Sequence, residues 1–367
     1  MKGIWTYKNL IHEIDPQFRF TLGEGNTPLV RSKKIGAMLG LENLYFKLEN
    51  LNPSGSYKDR FAAMAVANCL QNGNQAILAT SSGNTGAALA AYAAAADIKC
   101  VICLVDGAPF GKVQQMGVYG AELLMIKGFG IQDKCTTDLM EILNELATTH
   151  AGSLEISAYK FSPIGMQGVQ TIAFEIAEEL PDLKHVFVPA GGGGLYLSML
   201  LGFAKWKKQV CETLEPTIFC VQPEGNDTIS SILKTDRSEP TAIPASTTKI
   251  SGLQVPSLLD VHAIIKQTKI NKCDGALVND QDVYSFQKLL AQKEGIYCEP
   301  AGAVALAGLK TAIDDGKVNA NDPTVCLITG NGFKDQSALN KIYTEHDCVY
   351  VDQFENSKNE ILNKLLK

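Results

Sequence analysis

The sequence alternates between short apolar segments and longer segments in which apolar residues recur at helical spacing. The short segments, predicted as strands, are Leu44–Leu48, Gln75–Thr80, Cys100–Val105, Glu122–Ile126, His185–Pro189, Thr217–Val221 and Val325–Thr329. The longer segments, predicted as helices, are Ala62–Leu70, Thr85–Ala96, Val113–Tyr119, Asp133–His150, Val169–Leu180, Leu195–Trp206, Val283–Glu294 and Ala301–Ala312. Strands that alternate with helices predict an α/β protein with largely parallel sheets.

Three of the predicted strands end in turns of small and polar residues. These turns cover residues 80–86, 190–194 and 329–332, and the first two lead directly into a predicted helix. In open α/β sheets, ligands bind beyond the carboxyl ends of the strands. The three turns are therefore the first candidates for a functional site.

Composition and charge exclude several classes of function. A net charge of −6 without a basic tract argues against a nucleic-acid partner, and no apolar run approaches the length of a membrane span. The ten cysteines occur without an apolar leader in residues 1–20, so reduced thiols and a cytoplasmic location are the default. Cys100 and Cys103 form a CxxC in a predicted buried strand without a second pair at zinc spacing. We interpret them as packing residues and expect no metal.

The turn at 190–194 contains four consecutive glycines, Gly191–Gly194, between a strand and a helix. Such a run costs conformational entropy on folding, which a chain tolerates where its backbone approaches a ligand closely. Backbone amides at a helix N-terminus favour a phosphate. The turn is not a Walker loop, and it lacks the spacing of a dinucleotide fingerprint. From these residues alone, phosphate binding and a plain flexible turn both stay open.

The turn at 80–86 carries more polar side chains than a helix N-cap requires. Ser81, Ser82, Asn84 and Thr85 all lie in it, whereas one such residue is enough for capping. The additional donors suit a carboxylate or a phenolate oxygen.

Lys58 lies in the segment 52–60, where a helix opens. A lysine in the first turn of a helix is electrostatically unfavourable. The same placement helps to lower a lysine pKa toward that of a nucleophilic amine. The alternative is an exposed lysine paired with Asp59.

Taken together, six segments resemble the tryptophan-synthase-β-like, or fold-type II, family of pyridoxal-phosphate enzymes, and within it the threonine synthase branch. They occur in the family's order and are Gly23–Leu29, Ser56–Arg60, Ser81–Gly86, Gly191–Gly194, Glu299–Gly302 and Thr329–Asp335. Each segment alone is a weak signal, and six in order are a strong one.

The resemblance implies a role for each matching residue. Lys58 is expected to hold pyridoxal 5'-phosphate as a Schiff base and to act as the acid and base on substrate carbons. Asn84 would bind the ring oxygen. Thr329 would face the pyridine nitrogen, where a neutral hydroxyl suits β-elimination and replacement chemistry. The cofactor phosphate would be cradled by Gly191, Gly192, Gly193, Gly194 and the backbone of Leu195. The substrate carboxylate would be bound by Ser81, Ser82, Gly83 and Thr85. Glu299 would lie near the site without an assigned role.

The resemblance also implies the architecture. Two three-layer α/β domains would enclose the cofactor in the cleft between them. The smaller would span residues 51–154 and the larger residues 1–50 and 155–350, followed by a polar tail at 351–367. A homodimer is typical of the family.

Three reactions fit the motifs. The segments Lys58–Arg60 and Thr329–Asp335 are similar to threonine synthase, which converts O-phospho-L-homoserine and water to L-threonine and phosphate. The four-glycine loop is more similar to the serine and threonine dehydratases. A β-replacement synthase on an activated serine, with sulfite, sulfide or an amine as the nucleophile, is the third.

One position departs from threonine synthase. Gly165 stands where that branch carries an arginine that grips the substrate phosphate, and this loss is not conservative. Lys112, Lys160 and Lys249 are the basic residues considered as substitutes. If the missing arginine matters, Gly165→Arg is expected to help a phosphorylated substrate.

Overall fold

Two largely parallel sheets form the frame of the protein. The computed structural model describes residues 2–108, 110–235, 239–343, 348–351, 353–354 and 357–365. In these residues, ten strands form a six-stranded sheet and a four-stranded sheet. Helices pack against both, so the predicted α/β class with largely parallel sheets is confirmed.

The six-stranded sheet has the strand order β1-β2-β10-β7-β8-β9. Only the edge pair β1 and β2 is antiparallel, and the other pairs are parallel. The strands are β1 (Leu29–Arg31), β2 (Leu44–Lys47), β7 (His185–Pro189), β8 (Thr217–Pro223), β9 (Lys272–Val278) and β10 (Thr324–Leu327). Strand β9 was not predicted, because its first half, Lys-Cys-Asp-Gly, has no apolar run.

The four-stranded sheet is parallel throughout and has the order β5-β4-β3-β6. Its strands are β3 (Ala76–Thr80), β4 (Lys99–Leu104), β5 (Glu122–Met125) and β6 (Gly152–Leu154). Cys100 and Cys103 on β4 are both free and buried, and they belong to separate core clusters. Burial raises the pKa of Cys100 to about 12. The two thiols therefore act as packing residues, as the sequence predicts.

The helices are α1 (Ile35–Met38), α2 (Lys58–Gln71), α3 (Asn84–Ala95), α4 (Phe110–Val118), α5 (Asp133–Thr149), α6 (Gly165–Glu179), α7 (Gly194–Gln209), α8 (Ser230–Thr235), α9 (Val261–Gln267), α10 (Asp280–Leu289), α11 (Pro300–Asp314), α12 (Gln336–Ile342) and α13 (Ser357–Leu365). The Ser, Thr and Pro content of residues 226–252 predicts one long loop, but helix α8 lies within this range. Among the described residues, no helix is both long and apolar enough to cross a membrane.

Helix α2, which begins at Lys58, is the centre of the packing. It contacts α3 and α6, and ten of its fourteen residues are buried. Its first turn is fixed by Asp59, whose carboxylate accepts hydrogen bonds from the backbone and the hydroxyl of Ser54 (2.8 and 2.7 Å). The rigid core therefore determines where the Lys58 side chain leaves the helix.

Candidate active site

The three turns singled out in the sequence, together with the start of α2, line one cavity of about 440 Å³. The cavity lies at the ends of β3, β7 and β10, as expected for ligand sites in parallel sheets. Every predicted cofactor-binding and substrate-binding residue contributes to its lining: Lys58, Ser81, Ser82, Gly83, Asn84, Thr85, Gly191, Gly192, Gly193, Gly194, Leu195 and Thr329. Lys58 and Thr329, which are 271 positions apart in sequence, thus face one space.

Lys58 presents its amine to this cavity. The Nζ atom donates a hydrogen bond to Ser157 Oγ at 2.7 Å and lies 4.6 Å from the centre of the Tyr57 ring. The pairing with Asp59 that the sequence left open does not form, because the Asp59 carboxylate binds Ser54 and the Ser56 backbone. Lys58 is therefore available to a ligand.

The polar turn before α3 is held by its own side chains. Ser81 Oγ accepts hydrogen bonds from the amides of Gly83 and Gly86 (3.3 and 3.0 Å), and Ser82 Oγ accepts one from the Val105 amide (3.1 Å). The first amides of a helix have no partner within the helix, and here they border the cavity. Thr85 Oγ1 lies 2.7 Å from Ser157 Oγ.

Asn84 is tied to the large sheet through Glu299. Its Nδ2 donates to Glu299 Oε1 at 2.8 Å, and the Glu299 side chain is buried at the start of α11. The Glu299 amide also donates to Gly330 O at 3.0 Å. Glu299 had no role from the sequence, and the structure places it where it orients the Asn84 amide.

The glycine loop leaves its backbone close to the cavity. Gly193 has φ of +92°, and a Cβ atom there would lie 2.6 Å from Ile264 Cδ1. A Cβ atom on Gly191 would lie 3.0 Å from Gly252 O. Helix α7 begins at Gly194, so the loop presents amides at a helix N-terminus, an arrangement that binds phosphate.

Thr329 closes the far side of the cavity. The residue is 3% exposed, and its Oγ1 has no hydrogen-bond partner among the described residues. A buried hydroxyl without a partner is costly, and most such groups are satisfied by a bound molecule or water. The amine, the phosphate-binding loop and this hydroxyl together fit a phosphorylated aldehyde with a ring nitrogen, which is the chemistry of pyridoxal phosphate.

Several lining residues were not predicted. Ser157 contacts both Lys58 and Thr85, and residues 251–255 pass over the glycine loop. Ser157 follows strand β6, so the rule that ligands lie beyond strand ends would have found it, but β6 has only three residues and gives no pattern. Residues 251–255 have no regular structure in which to place them.

Position 165 has no room for an arginine. Gly165 is buried at the start of α6, and a Cβ atom there would lie 2.8 Å from Phe61 Cε2 and 3.1 Å from Ala65 Cβ. An arginine at position 165 would therefore have to displace the Phe61 ring before it could reach a substrate phosphate, and the effect of Gly165→Arg stays a prediction.

The lysines expected to replace that arginine do not line the cavity, as far as their side chains are described. Lys160 and Lys249 are exposed and do not line it, and the side chain of Lys112 lies outside the described residues. Among the described lining residues, Lys58 is the only one with a cationic side chain.

The fold and the cavity define a class of α/β enzyme that holds a phosphorylated cofactor at the ends of parallel strands. A sequence model of one such family, described as pyridoxal-phosphate dependent enzyme, matches residues 20–330. The chain belongs to this family and depends on pyridoxal phosphate.

Curated relatives indicate which kind of pyridoxal-phosphate enzyme the chain is similar to. Threonine synthase from Methanocaldococcus jannaschii is 30% identical over 370 residues, which cover 100% of this chain and 87% of the relative. Threonine synthase from Halalkalibacterium halodurans is 32% identical over 331 residues, which cover 90% of this chain and 88% of the relative. The chain is accordingly a pyridoxal-phosphate-dependent lyase similar to threonine synthases.

Solved structures agree on the fold. A threonine deaminase from Solanum lycopersicum superposes with a TM-score of 0.72 at 22% identity, covering 86% of this chain and 82% of the other. An L-serine ammonia-lyase from Rhizomucor miehei superposes with a TM-score of 0.71 at 20% identity, covering 87% and 97%. At these identities the likeness concerns the fold alone.

Proposed function

We propose that this protein catalyses a threonine-synthase-type reaction, in which O-phospho-L-homoserine and water give L-threonine and phosphate. The observation that carries the proposal is the end-to-end similarity to curated threonine synthases. The motifs Lys58–Arg60 and Thr329–Asp335 add to it, since both resemble that branch.

The roles proposed for the cofactor-binding residues follow from the family resemblance, and the position of each residue in the cavity lining supports them. Lys58 would bind the cofactor aldehyde, Asn84 the ring oxygen and Thr329 the ring nitrogen. The phosphate would be held by the amides of Gly191, Gly192, Gly193, Gly194 and Leu195. The unpartnered hydroxyl of Thr329 supports this orientation, because a ring nitrogen beside it would satisfy the buried group.

The substrate carboxylate would lie in the turn before α3. Ser81, Ser82, Gly83 and Thr85 line the cavity there. The hydroxyl oxygens of Ser81 and Ser82 already accept bonds from backbone amides, which leaves their protons for a carboxylate. The partial positive charge of the α3 N-terminus favours the same anion.

Proton transfer is assigned to Lys58. When bound, the cofactor supplies an electron sink that makes hydrogens on nearby substrate carbons acidic. The Lys58 amine would remove a proton from the α-carbon and one from the β-carbon of the substrate. The γ-carbon would lose phosphate and gain a proton to become the methyl group. Water would then add its hydroxyl at the β-carbon, a proton would return to the α-carbon, and the remaining proton of water would end on the released phosphate. Tyr57 and the loop at 251–255 border the same space, where they would limit the entry of bulk water to bound substrate.

A second candidate is elimination from a substrate without phosphate, as in a serine or threonine ammonia-lyase. The specific observation in its favour is that Lys58 is the only cationic side chain in the described lining, while Phe61 fills the space beside Gly165. A substrate phosphate would depend on hydroxyl groups and backbone amides. The same observation favours a β-replacement synthase that acts on an activated serine.

A phosphate-release assay on the purified yellow protein separates these functions. With O-phospho-L-homoserine, the proposal predicts equal amounts of phosphate and threonine, and Lys58→Ala should release neither. Absence of phosphate would reject the threonine-synthase reaction. Formation of a 2-oxo acid from serine or threonine would then establish the ammonia-lyase, and a replacement product from an activated serine would establish the synthase.

Three predictions from the sequence stay predictions. The division at residues 51–154 is supported by the four-stranded sheet, whose strands all lie between Ala76 and Leu154. We also propose a homodimer and a cytoplasmic location. Sedimentation of the purified protein and localisation of a tagged chain test these two.

A further inference from the structure

Ser157 lies where three parts of the cavity meet. It follows β6, and its hydroxyl contacts Lys58 at the start of α2 and Thr85 in the turn before α3, each at 2.7 Å. Its carbonyl oxygen is 3.0 Å from the place where a Cβ atom of Gly194 would stand, so its backbone borders the glycine loop. Ser157 has no part in the proposed binding of the cofactor or of the substrate carboxylate.

The hydrogen bonds around Ser157 have a definite order when Lys58 is charged. An ammonium group only donates, so the Ser157 oxygen accepts from Lys58 Nζ. The single proton of Ser157 then has Thr85 Oγ1 as its acceptor within reach. The proton of Thr85 is left for the cavity, where the substrate would bind. A chain of hydrogen bonds therefore runs from Lys58 through Ser157 to Thr85.

The loop that carries Ser157 is held in place on both sides. The amide of Ile156 donates to Ser162 Oγ at 3.0 Å. The amides of Tyr159 and Lys160 donate to the buried carboxylate of Asp260 at 3.0 and 3.1 Å. The serine hydroxyl is consequently presented at a fixed position.

We propose that Ser157 is a positioning residue that holds the Lys58 amine at the cavity and couples it to the Thr85 hydroxyl. The proposal rests on the function proposed above, in which Lys58 binds the cofactor and Thr85 the substrate. A lysine that leaves and rejoins the cofactor in each cycle must return to one place. Ser157 supplies that place, and it also turns the Thr85 proton toward the substrate.

The test compares Ser157→Ala, Ser157→Thr and Ser162→Ala with the unchanged full-length protein. Two quantities are measured, namely the rate at which cofactor-free protein acquires the absorbance of lysine-bound cofactor, and kcat and KM with the substrate that turns over. Ser162→Ala is the matched control, because Ser162 holds the same loop and does not line the cavity.

Ser157→Ala is expected to slow attachment of the cofactor about tenfold and to lower kcat by a similar factor with a smaller change in KM, the effect of one hydrogen bond to a charged group. Ser157→Thr keeps the hydroxyl and should recover most of the rate. Ser162→Ala removes one of the three bonds that hold the loop, so it should lower thermal stability and slow attachment much less than Ser157→Ala does.

Three results would overturn the proposal: an alanine variant with unchanged attachment rate and kcat, a threonine variant as slow as alanine, or a Ser162→Ala variant with the same defect. If Ser157→Ala does not fold, Ser157→Cys gives the same comparison, because a thiol is a much weaker hydrogen-bonding group. Lys58→Ala separates the two proposals. Should it retain the absorbance of lysine-bound cofactor, the proposed function fails, whatever the Ser157 variants do.

Discussion

Arg60 is expected to be the most sensitive charged residue in the core. It lies two positions after Lys58 on α2 and is fully buried. Its guanidinium donates to both carboxylate oxygens of Glu49 (2.8 and 2.7 Å), to both of Glu175 (2.6 and 2.8 Å), and to Thr171 (2.8 Å) and Thr27 (3.3 Å). This cluster joins the segment after β2, α2 and α6.

The charges in the cluster depend on one another. Burial lowers the pKa of Arg60, but Glu175 and Glu49 outweigh this effect and place the pKa well above its ordinary value. Burial raises the pKa of Glu175, while Arg60 and Lys47 lower it more strongly, to about 2. Removal of Arg60 would leave two buried carboxylates, with Lys47 as a cationic partner only for Glu175.

Arg60→Met should therefore lower the free energy of unfolding by about 3–5 kcal/mol, the usual cost of removing one partner from a buried ion pair. Arg60→Lys should recover only part of this loss, because an ammonium group cannot bind two carboxylates in the forked manner of arginine. Urea unfolding of the cofactor-free protein measures the difference. Arg31→Met, which alters an exposed arginine, is the control and should change the free energy by less than about 1 kcal/mol. An Arg60→Met protein as stable as this control would refute the reasoning.

Three further substitutions test the site and the core. Thr329→Val should weaken pyridoxal-phosphate binding about fivefold, since one neutral hydrogen bond is lost; an unchanged dissociation constant would place the ring nitrogen elsewhere. Gly193→Ala should cost about 1–2 kcal/mol of stability because φ is +92°, and it should weaken cofactor binding. Unchanged cofactor affinity in the alanine variant would show that this loop does not bind the cofactor phosphate. Burial raises the pKa of Glu155 from 4.5 to about 7, so its stabilising contribution is complete below about pH 4.5 and is lost as the pH rises through about 7. Glu155→Gln should thus be more stable than the unchanged protein at pH 8, by ~3 kcal/mol, and thermal melts from pH 5 to 8 that run parallel for the two proteins would contradict this.

The parts of the site that the sequence predicts share one property. Ser81–Thr85, Gly191–Gly194 and Thr329 directly follow apolar strands long enough to recognise, and the carboxyl ends of parallel strands converge. The structure brings all of them into one cavity. Their residue types, namely glycines, hydroxyls and an amide, also depart from what a turn or a helix cap alone requires.

The parts that could not be predicted depend on packing between distant segments. Ser157 follows a three-residue strand, and Glu299 meets Asn84 across 215 positions of sequence. The space beside Gly165 is filled by Phe61 from another helix. Such contacts leave no local pattern. The sequence therefore shows that position 165 lacks an arginine, but not that Phe61 occupies the space beside it.

Reduction of the yellow protein with borohydride, followed by peptide mass spectrometry, tests the central assignment most directly. A link between a lysine and the cofactor aldehyde becomes a stable bond on reduction, so the modified lysine can be located. The pyridoxyl group is predicted on Lys58, in the peptide that includes Ser56 and Tyr57. A modification on another lysine, or none on Lys58 in a protein that contains the cofactor, would contradict the account.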